Sequence, residues 1–393
     1  MVLNPLPRIL LGVTAEMSLR LMAGFPQYLV ERGWDVHVVS SPGPALQNLS
    51  EIPGVTAHPL PMTREVSLGA DLRSLVAWVR LLVRVRPDVI SVGTPKAGLL
   101  GGLAGLFTRV PVRIYLLRGL RFETTSGLKR RILIAVERLS IAASHTVLAV
   151  SGSLRHRAIA FGIVKSEKIV VLGAGSSNGV DVAEFDRAKF TRKEIADLSK
   201  HLGLLRGVPV IGFVGRLTAD KGLHVLAEAC SILTQEGVDH QLLIVGSVDS
   251  ESGRAGLDQL QNGGRPTVVT GHVSEPTIYY RLMDLLCLPT LREGFPNVIL
   301  EAGASSIPSV TTDATGAVDS TIHEETGLIV PKGNSEALAA SLKRLLTNKT
   351  EALEMGKKAH DFVRANFERT DVWKILEIFF SEQSAITSSK AGS

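Results

Sequence analysis

The chain has 393 residues, 45% apolar and 21% charged, with a formal net charge of +5. That length and balance predict two or three globular domains and exclude a disordered, collagen-like or fibrous chain. The only cysteines, Cys230 and Cys287, exclude a disulfide scaffold or Cys-rich zinc module and suit a reducing compartment.

The chain opens on a short apolar run, RILLGV (8–13), of strand length and without the small-residue cleavage pattern of a signal peptide. SLRLMAGFPQYLVERG follows with helical spacing and stops at Gly33. Next come a strand, DVHVVSS, a helix over 71–86, a strand, DVISVG, a helix, KAGLLGGLAGLF, and a strand, PVRIYLL. A helix over 128–143 precedes two further strands, HTVLAVS and KIVVL. Residues 186–206 are charged and helix-prone and read as a linker. The pattern restarts at PVIGFVG (209–215) and runs through LHVLAEACSILTQEG, HQLLIVG, PTVVTG, LLCLPT, PSVTT and GLIV. Three helices over 335–346, 351–367 and 371–383 lead to a small polar tail read as frayed.

Strands that are apolar throughout, alternating with helices, predict parallel sheets covered on both faces. The expectation is two Rossmann-like doubly wound α/β domains, 1–190 and 191–367, with a last segment over 368–393. Ligands of such sheets bind beyond the carboxyl ends of the strands. No apolar run reaches the ~18 residues of a bilayer span. The best candidate, Leu72 to Val85, is broken by Arg73, Arg80 and Arg84. A soluble, cytoplasmic protein is expected.

Charge divides unevenly. Residues 1–190 carry 23 Lys and Arg against 13 Asp and Glu; residues 191–393 carry 20 against 25. Arg109, Arg113, Arg118, Arg121, Lys129, Arg130 and Arg131 face a single acid, Glu123. Such a cluster attracts phosphates or an anionic membrane surface. Nucleic acid is not expected as a partner, because aromatic residues are only 5% and do not alternate with the cations. His145, His240 and His272 are scattered and read as structural.

No G-x-G-x-x-G follows the first strand, and no phosphate-loop motif occurs. GAGSSNGVD (173–181) is Gly-rich with the wrong spacing for either. The informative segment is PTLREGFPNVILEAGAS (289–305), behind the strand LLCLPT. Pro296 suits the first turn of a helix. The amides near Gly294, Phe295, Asn297 and Val298 are then placed to receive a phosphate. Glu301, inside that helix, can accept both hydrogens of a ribose diol. Glu293, on the loop, can reach sugar hydroxyls near the reacting carbon.

REGFPNVILEA resembles the E-x7-E motif of the retaining glycosyltransferases of family 4. FVGRLTADKGLHVL (213–226) is similar to that family's strand–loop–helix segment, with Arg216 and Lys221 in its phosphate-binding positions. NGVD (178–181) and TGLIV (326–330) also match, and the resemblance covers nearly the whole chain. VTAEMSLRL and TPKAGLLGGLAG resemble members that build bacterial surface polysaccharides and lipid-linked oligosaccharides. The resemblance implies a GT-B fold, two domains facing a cleft, and a last helix that crosses back to the first domain. It implies sugar transfer from a nucleotide donor with retention and without a metal or other cofactor. It places Val273 where backbone atoms meet the nucleobase, and Gly12 and Ser18 in the first strand–helix loop, beside an acceptor or phosphate. Many members carry a histidine before a glycine after the fifth strand; here Arg118 precedes Gly119. An arginine there cannot exchange a proton near neutral pH but can fork onto a phosphate. The expectations are a UDP-sugar donor and a polyprenyl-diphosphate-linked saccharide acceptor, on the inner face of a membrane. The alternatives are a nucleotide-sugar 2-epimerase of the same fold and a non-catalytic sugar-nucleotide-binding protein.

Overall fold

The computed structural model describes residues 6–63 and 67–391. The chain divides into two compact units: residues 1–178 with 371–393, and residues 179–370.

The first unit holds strands β1 (Arg8–Gly12), β2 (Asp35–Ser40), β3 (Val55–Pro59), β4 (Val89–Gly93), β5 (Val112–Leu117), β6 (Thr146–Ala149) and β7 (Ile169–Val170). Its helices are α1 (Phe25–Val30), α2 (Pro44–Ser50), α3 (Leu68–Val85), α4 (Pro95–Phe107), α5 (Gly127–Ala143) and α6 (Gly152–Ala160). All strand pairs are parallel, in the order β3-β2-β1-β4-β5-β6-β7. VISVG in β4 is buried at every position, so helices must cover both faces.

The second unit begins with α7 (Arg192–His201). Its strands are β8 (Val210–Val214), β9 (Gln241–Val245), β10 (Thr267–Gly271), β11 (Leu285–Leu288), β12 (Ser309–Thr312) and β13 (Gly327–Val330). Helices α8 (Leu223–Gln235), α9 (Glu251–Asn262), α10 (Thr277–Tyr280), α11 (Asn297–Ala304), α12 (Ser335–Thr347) and α13 (Lys349–Phe367) surround them. The parallel order is β10-β9-β8-β11-β12-β13. In each sheet, two adjacent strands lead their chains to opposite sides: β1 and β4 in the first, β8 and β11 in the second. Such a switch point opens a crevice at the carboxyl ends of the strands.

Several local features depart from the sequence reading. The helix expected before Gly33 is two pieces, a 3-10 stretch over Glu16–Met22 and α1. Gly24 breaks it at φ 81°, and a Cβ there would lie 2.5 Å from the Trp373 ring. The edge strand β3 and the short helices α2, α6 and α9 had not been expected. The strand, α2 and α6 are short; α9 is amphipathic, burying Gly253, Gly256, Leu257 and Leu260, but two glycines on its buried face dilute the apolar signal. The stretch 186–206 contains α7, held by a capping box between Thr191 and Glu194. The units change over at 178, ahead of 190, because Val180, Val182 and Phe185 already belong to the second core.

The last helix, α14 (Arg369–Ala391), returns to the first unit as expected. Val372, Trp373, Leu376 and Phe380 pack with Ile9, Leu11, Phe25 and Leu29. Its backbone stays helical through Ala391, across most of the tail read as frayed. The Trp373 ring lies 5.2 Å from the Tyr28 ring at a tilt of 58°, and its Nε1 donates to Asn178 Oδ1 at 2.8 Å.

One buried acid stands out. Tyr115 Oη donates to Glu137 Oε2 at 2.9 Å, and Glu137 is 3% exposed. Burial pushes its carboxyl up to about 7, against the smaller opposing pulls of the Tyr115 hydroxyl and Arg121. The folded chain therefore keeps a proton that the unfolded chain releases near 4.5. Stability from this group falls as pH rises from about 4.5 to about 7. Glu137→Gln should flatten that slope in melting curves taken from pH 5 to pH 8 in steps of roughly one unit. An unchanged slope would contradict the assignment. Trp373→Ala should cost about 3–5 kcal/mol in chemical denaturation. Deleting 368–393 should leave the chain insoluble; a soluble, active truncation would refute the role given to α14.

Candidate functional site

In the second unit, β8 runs into Gly215 and then Arg216, which is exposed and pairs with Asp249 Oδ2 at 2.5 Å. A 3-10 turn over Ala219–Lys221 follows. Lys221 Nζ forms an ion pair with Glu293 Oε1; the two side chains are 18% and 13% exposed. A half-buried pair of this kind is screened far less than one on the surface. Its members come from the loops after β8 and β11, the two strands of the switch point.

Those loops are tied together along their length. Arg292 pairs with Asp220, the Leu291 amide donates to the Asp220 carbonyl at 2.7 Å, and Thr290 Oγ1 donates to it at 2.9 Å. Gly222, at φ 67°, lets the first loop lie against the Pro289 carbonyl where a Cβ would clash. On the other side the Glu293 amide donates to the Thr315 carbonyl at 2.9 Å. Glu293 is thus fixed at its backbone and its side chain.

Helix α11 begins at Asn297, with Pro296 as its N-cap rather than inside the first turn. No side chain caps it, and first-turn amides have no partner inside a helix. The amides of Asn297 and Val298 open this helix just after the Glu293 loop. Phe295 turns inward, its ring 5.2 Å from that of Phe367, so only its backbone and that of Gly294 remain for a ligand. Glu301, one turn on, accepts a hydrogen bond from Tyr280 Oη at 2.5 Å. Burial, then the Glu301 charge, raises the Tyr280 hydroxyl well above its ordinary value, so it stays a donor. Sequence reasoning missed Tyr280. The spacing of α10 and α11 gave no sign of the contact. Val273 lies past β10, packed partly into the second core.

In the first unit Gly12 is the last residue of β1, not a loop residue, and a Cβ there would meet Trp78 at 2.8 Å. Close packing accounts for that glycine. Ser18 lies in the 3-10 stretch. Arg118 follows β5, and its Nη1 donates to Ser177 Oγ at 2.5 Å. Gly119 follows at φ 134°. The basic cluster also divides. Arg113 bonds the Ala143 and Val110 carbonyls, closing the end of α5, and Arg130 lies over the Phe161 ring at 5.6 Å. Arg109, Arg121, Lys129 and Arg131 remain exposed.

Residues 208–348 match the family described as "Glycosyl transferases group 1", and residues 22–175 match the "Glycosyl transferase 4-like domain". The chain is 36% identical over 370 residues to the capsular polysaccharide biosynthesis glycosyltransferase CapM of Staphylococcus aureus, covering 94% of this chain and 95% of that one. It is 24% identical over 294 residues to the Escherichia coli UDP-Gal:alpha-D-GlcNAc-diphosphoundecaprenol alpha-1,3-galactosyltransferase, covering 73% and 74%. Anabaena HepE, solved with UDP-glucose, has the same fold with a TM-score of 0.77 at 20% identity, over 95% of this chain and 99% of that one. The likeness to CapM spans nearly the whole of both chains, and with the two family matches it makes the chain a member of the group 1, family 4 glycosyltransferases of GT-B fold.

Proposed function

We propose that this glycosyltransferase moves a sugar from a UDP-sugar, with retention, to a saccharide linked to a polyprenyl diphosphate, in the assembly of a bacterial surface polysaccharide. The observation that carries the donor reading is the Lys221–Glu293 pair beside the open N-terminus of α11. A leaving diphosphate develops negative charge as the glycosidic bond breaks. Lys221, Arg216 and the α11 amides stand on one crevice to stabilise it. Those cations take the role a metal plays elsewhere, so transfer should persist in chelator. Glu293 holds Lys221 before the donor arrives and then meets the sugar hydroxyls. Glu301, oriented by Tyr280, receives the ribose diol. The S. aureus relative's part in capsular polysaccharide biosynthesis and the E. coli relative's diphosphoundecaprenol acceptor support the polysaccharide and the lipid-diphosphate acceptor.

A lipid-linked acceptor calls for work at a membrane. Among the described residues no helix is long and apolar enough to cross one. The first unit nevertheless exposes apolar side chains among cations. On α3 these are Leu72 and Val83, 63% and 57% exposed, beside Arg73, Arg80 and Arg84. On α5 they are Leu128, 71% exposed, and Leu139, 52% exposed, near Lys129 and Arg131. Each cation near an anionic leaflet adds about 1 kcal/mol, and the apolar side chains can enter its interface.

Two measurements test the proposal. Glu301→Ala should weaken UDP binding by about 1.5–3 kcal/mol in calorimetry, the range of a charge-assisted hydrogen bond. Tyr280→Phe should cost less, about 1 kcal/mol. UDP affinity unchanged in both variants would remove the ribose assignment. Sedimentation with vesicles should show binding to anionic but not neutral lipid, released by salt and weakened in a Lys129→Glu, Arg131→Glu double variant. Equal binding to both vesicle types would refute the membrane reading.

A further inference from the structure

Among the described residues Arg118 is a cation without a counter-ion. No carboxylate among them pairs with it, and its one hydrogen bond goes to a neutral hydroxyl, Ser177 Oγ. Its Nε is buried and donates to nothing. Burial draws the guanidinium down to about 10, and it remains charged at neutral pH. Arg118 as a whole is only partly buried, but its Nε–H is closed off from water with no acceptor, and a donor left so costs free energy; an arrangement that keeps one points to an anion that completes it.

The surroundings hold the guanidinium in place. Gly93, at the end of β4, has no side chain where a Cβ would come 2.9 Å from Arg118 Nε. Gly93 has no positive φ, so its backbone would accept alanine; the glycine makes room for the arginine. Ser177 sits in the GAGSSN loop, which no other role has claimed. Before it, Ser176 is buried at φ 67°, with its amide bonded to the Val150 carbonyl at 2.7 Å. After it, Asn178 is bonded to Trp373. The loop is therefore pinned on both sides of the Ser177 hydroxyl.

Arg118, Ser91 and Ser177 line one small cavity of about 30 Å³, otherwise walled by apolar side chains that include Leu11, Leu376 and Phe380. That is room for about two oxygen-sized atoms and not for a ring. Apolar walls strengthen a charge-assisted hydrogen bond and exclude competing water. The position, just beyond the carboxyl end of β5, is where an open α/β sheet takes its ligands.

The geometry points to an oxyanion seat in the first unit: Arg118 Nε, with Ser91 and Ser177 beside it, receives the oxygens of a phosphate or carboxylate group on a substrate. The seat rests on first-unit residues alone and is independent of the donor site in the second unit.

The test uses the full chain with ¹⁵N-labelled arginine, saturated with UDP so that the second unit's phosphate positions are filled. The Nε–Hε resonance of Arg118 is identified by its loss in Arg118→Lys. Inorganic pyrophosphate and glucuronate are titrated separately. The expected result is a saturable shift of that resonance with at least one of them. Gly93→Ala, which keeps the charge and crowds Nε, should weaken the response roughly tenfold, equivalent to about 1.4 kcal/mol. A shift with pyrophosphate alone assigns the seat to a phosphate group, and one with glucuronate alone to a sugar carboxylate. No shift with either into tens of millimolar, or equal titrations in Gly93→Ala and wild type, overturns the proposal. Should wild type fail to bind UDP, the donor reading falls, and the same titrations without UDP still decide the seat.

Discussion

Both sheets are parallel with central strands buried on both faces, and the remaining architecture follows from that. A parallel pair needs a crossover, and a strand such as VIGFV with no polar position must be covered above and below. Helices wound to both sides oblige the strand order to reverse somewhere. It reverses at β1/β4 and at β8/β11, and there the connecting loops part. Lys221 and Glu293 lie on the two loops that leave the second of these points. They are held by backbone bonds and by a glycine that lets one loop press on the other.

The electrostatics of that crevice are arranged before any ligand arrives. Lys221 and Arg216 are each matched by an acid, Glu293 and Asp249, so neither waits as a bare charge. The first pair is half-buried and the second is near half exposed, which makes Lys221 the more strongly held. Arg118 in the first unit differs, since its surroundings offer a hydroxyl and apolar walls. One fold thus carries cations in two states, compensated and uncompensated, and the second kind costs stability unless something anionic completes it.

Much of this was readable in the sequence. Strands such as DVISVG and HQLLIVG were legible because burial on both faces makes them apolar without a break. The Glu293 to Glu301 segment was legible because a strand, a glycine, a proline and a helix occur in an order that has few uses. Tyr280 was not, because its partner lies 21 positions away and hydrogen bonds between helices leave no local period. The break at Gly24 was hidden because its cause is the Trp373 ring, almost 350 residues distant. The basic cluster over 109–131 looked uniform in sequence. Only packing separates Arg113, spent on carbonyls, from Lys129, left to solvent.

The return of α14 has an evolutionary consequence. The first unit is discontinuous: 178 residues from one end of the chain and a helix from the other share one core. A single crossover between two related genes cannot exchange that unit whole, because it would pair one parent's Phe25 and Tyr28 with the other parent's Trp373 and Phe380. Recombinants of that kind begin with a mismatched core, so the two units in this architecture are expected to travel together, or to be exchanged through two junctions, one near Asn178 and one near Thr370.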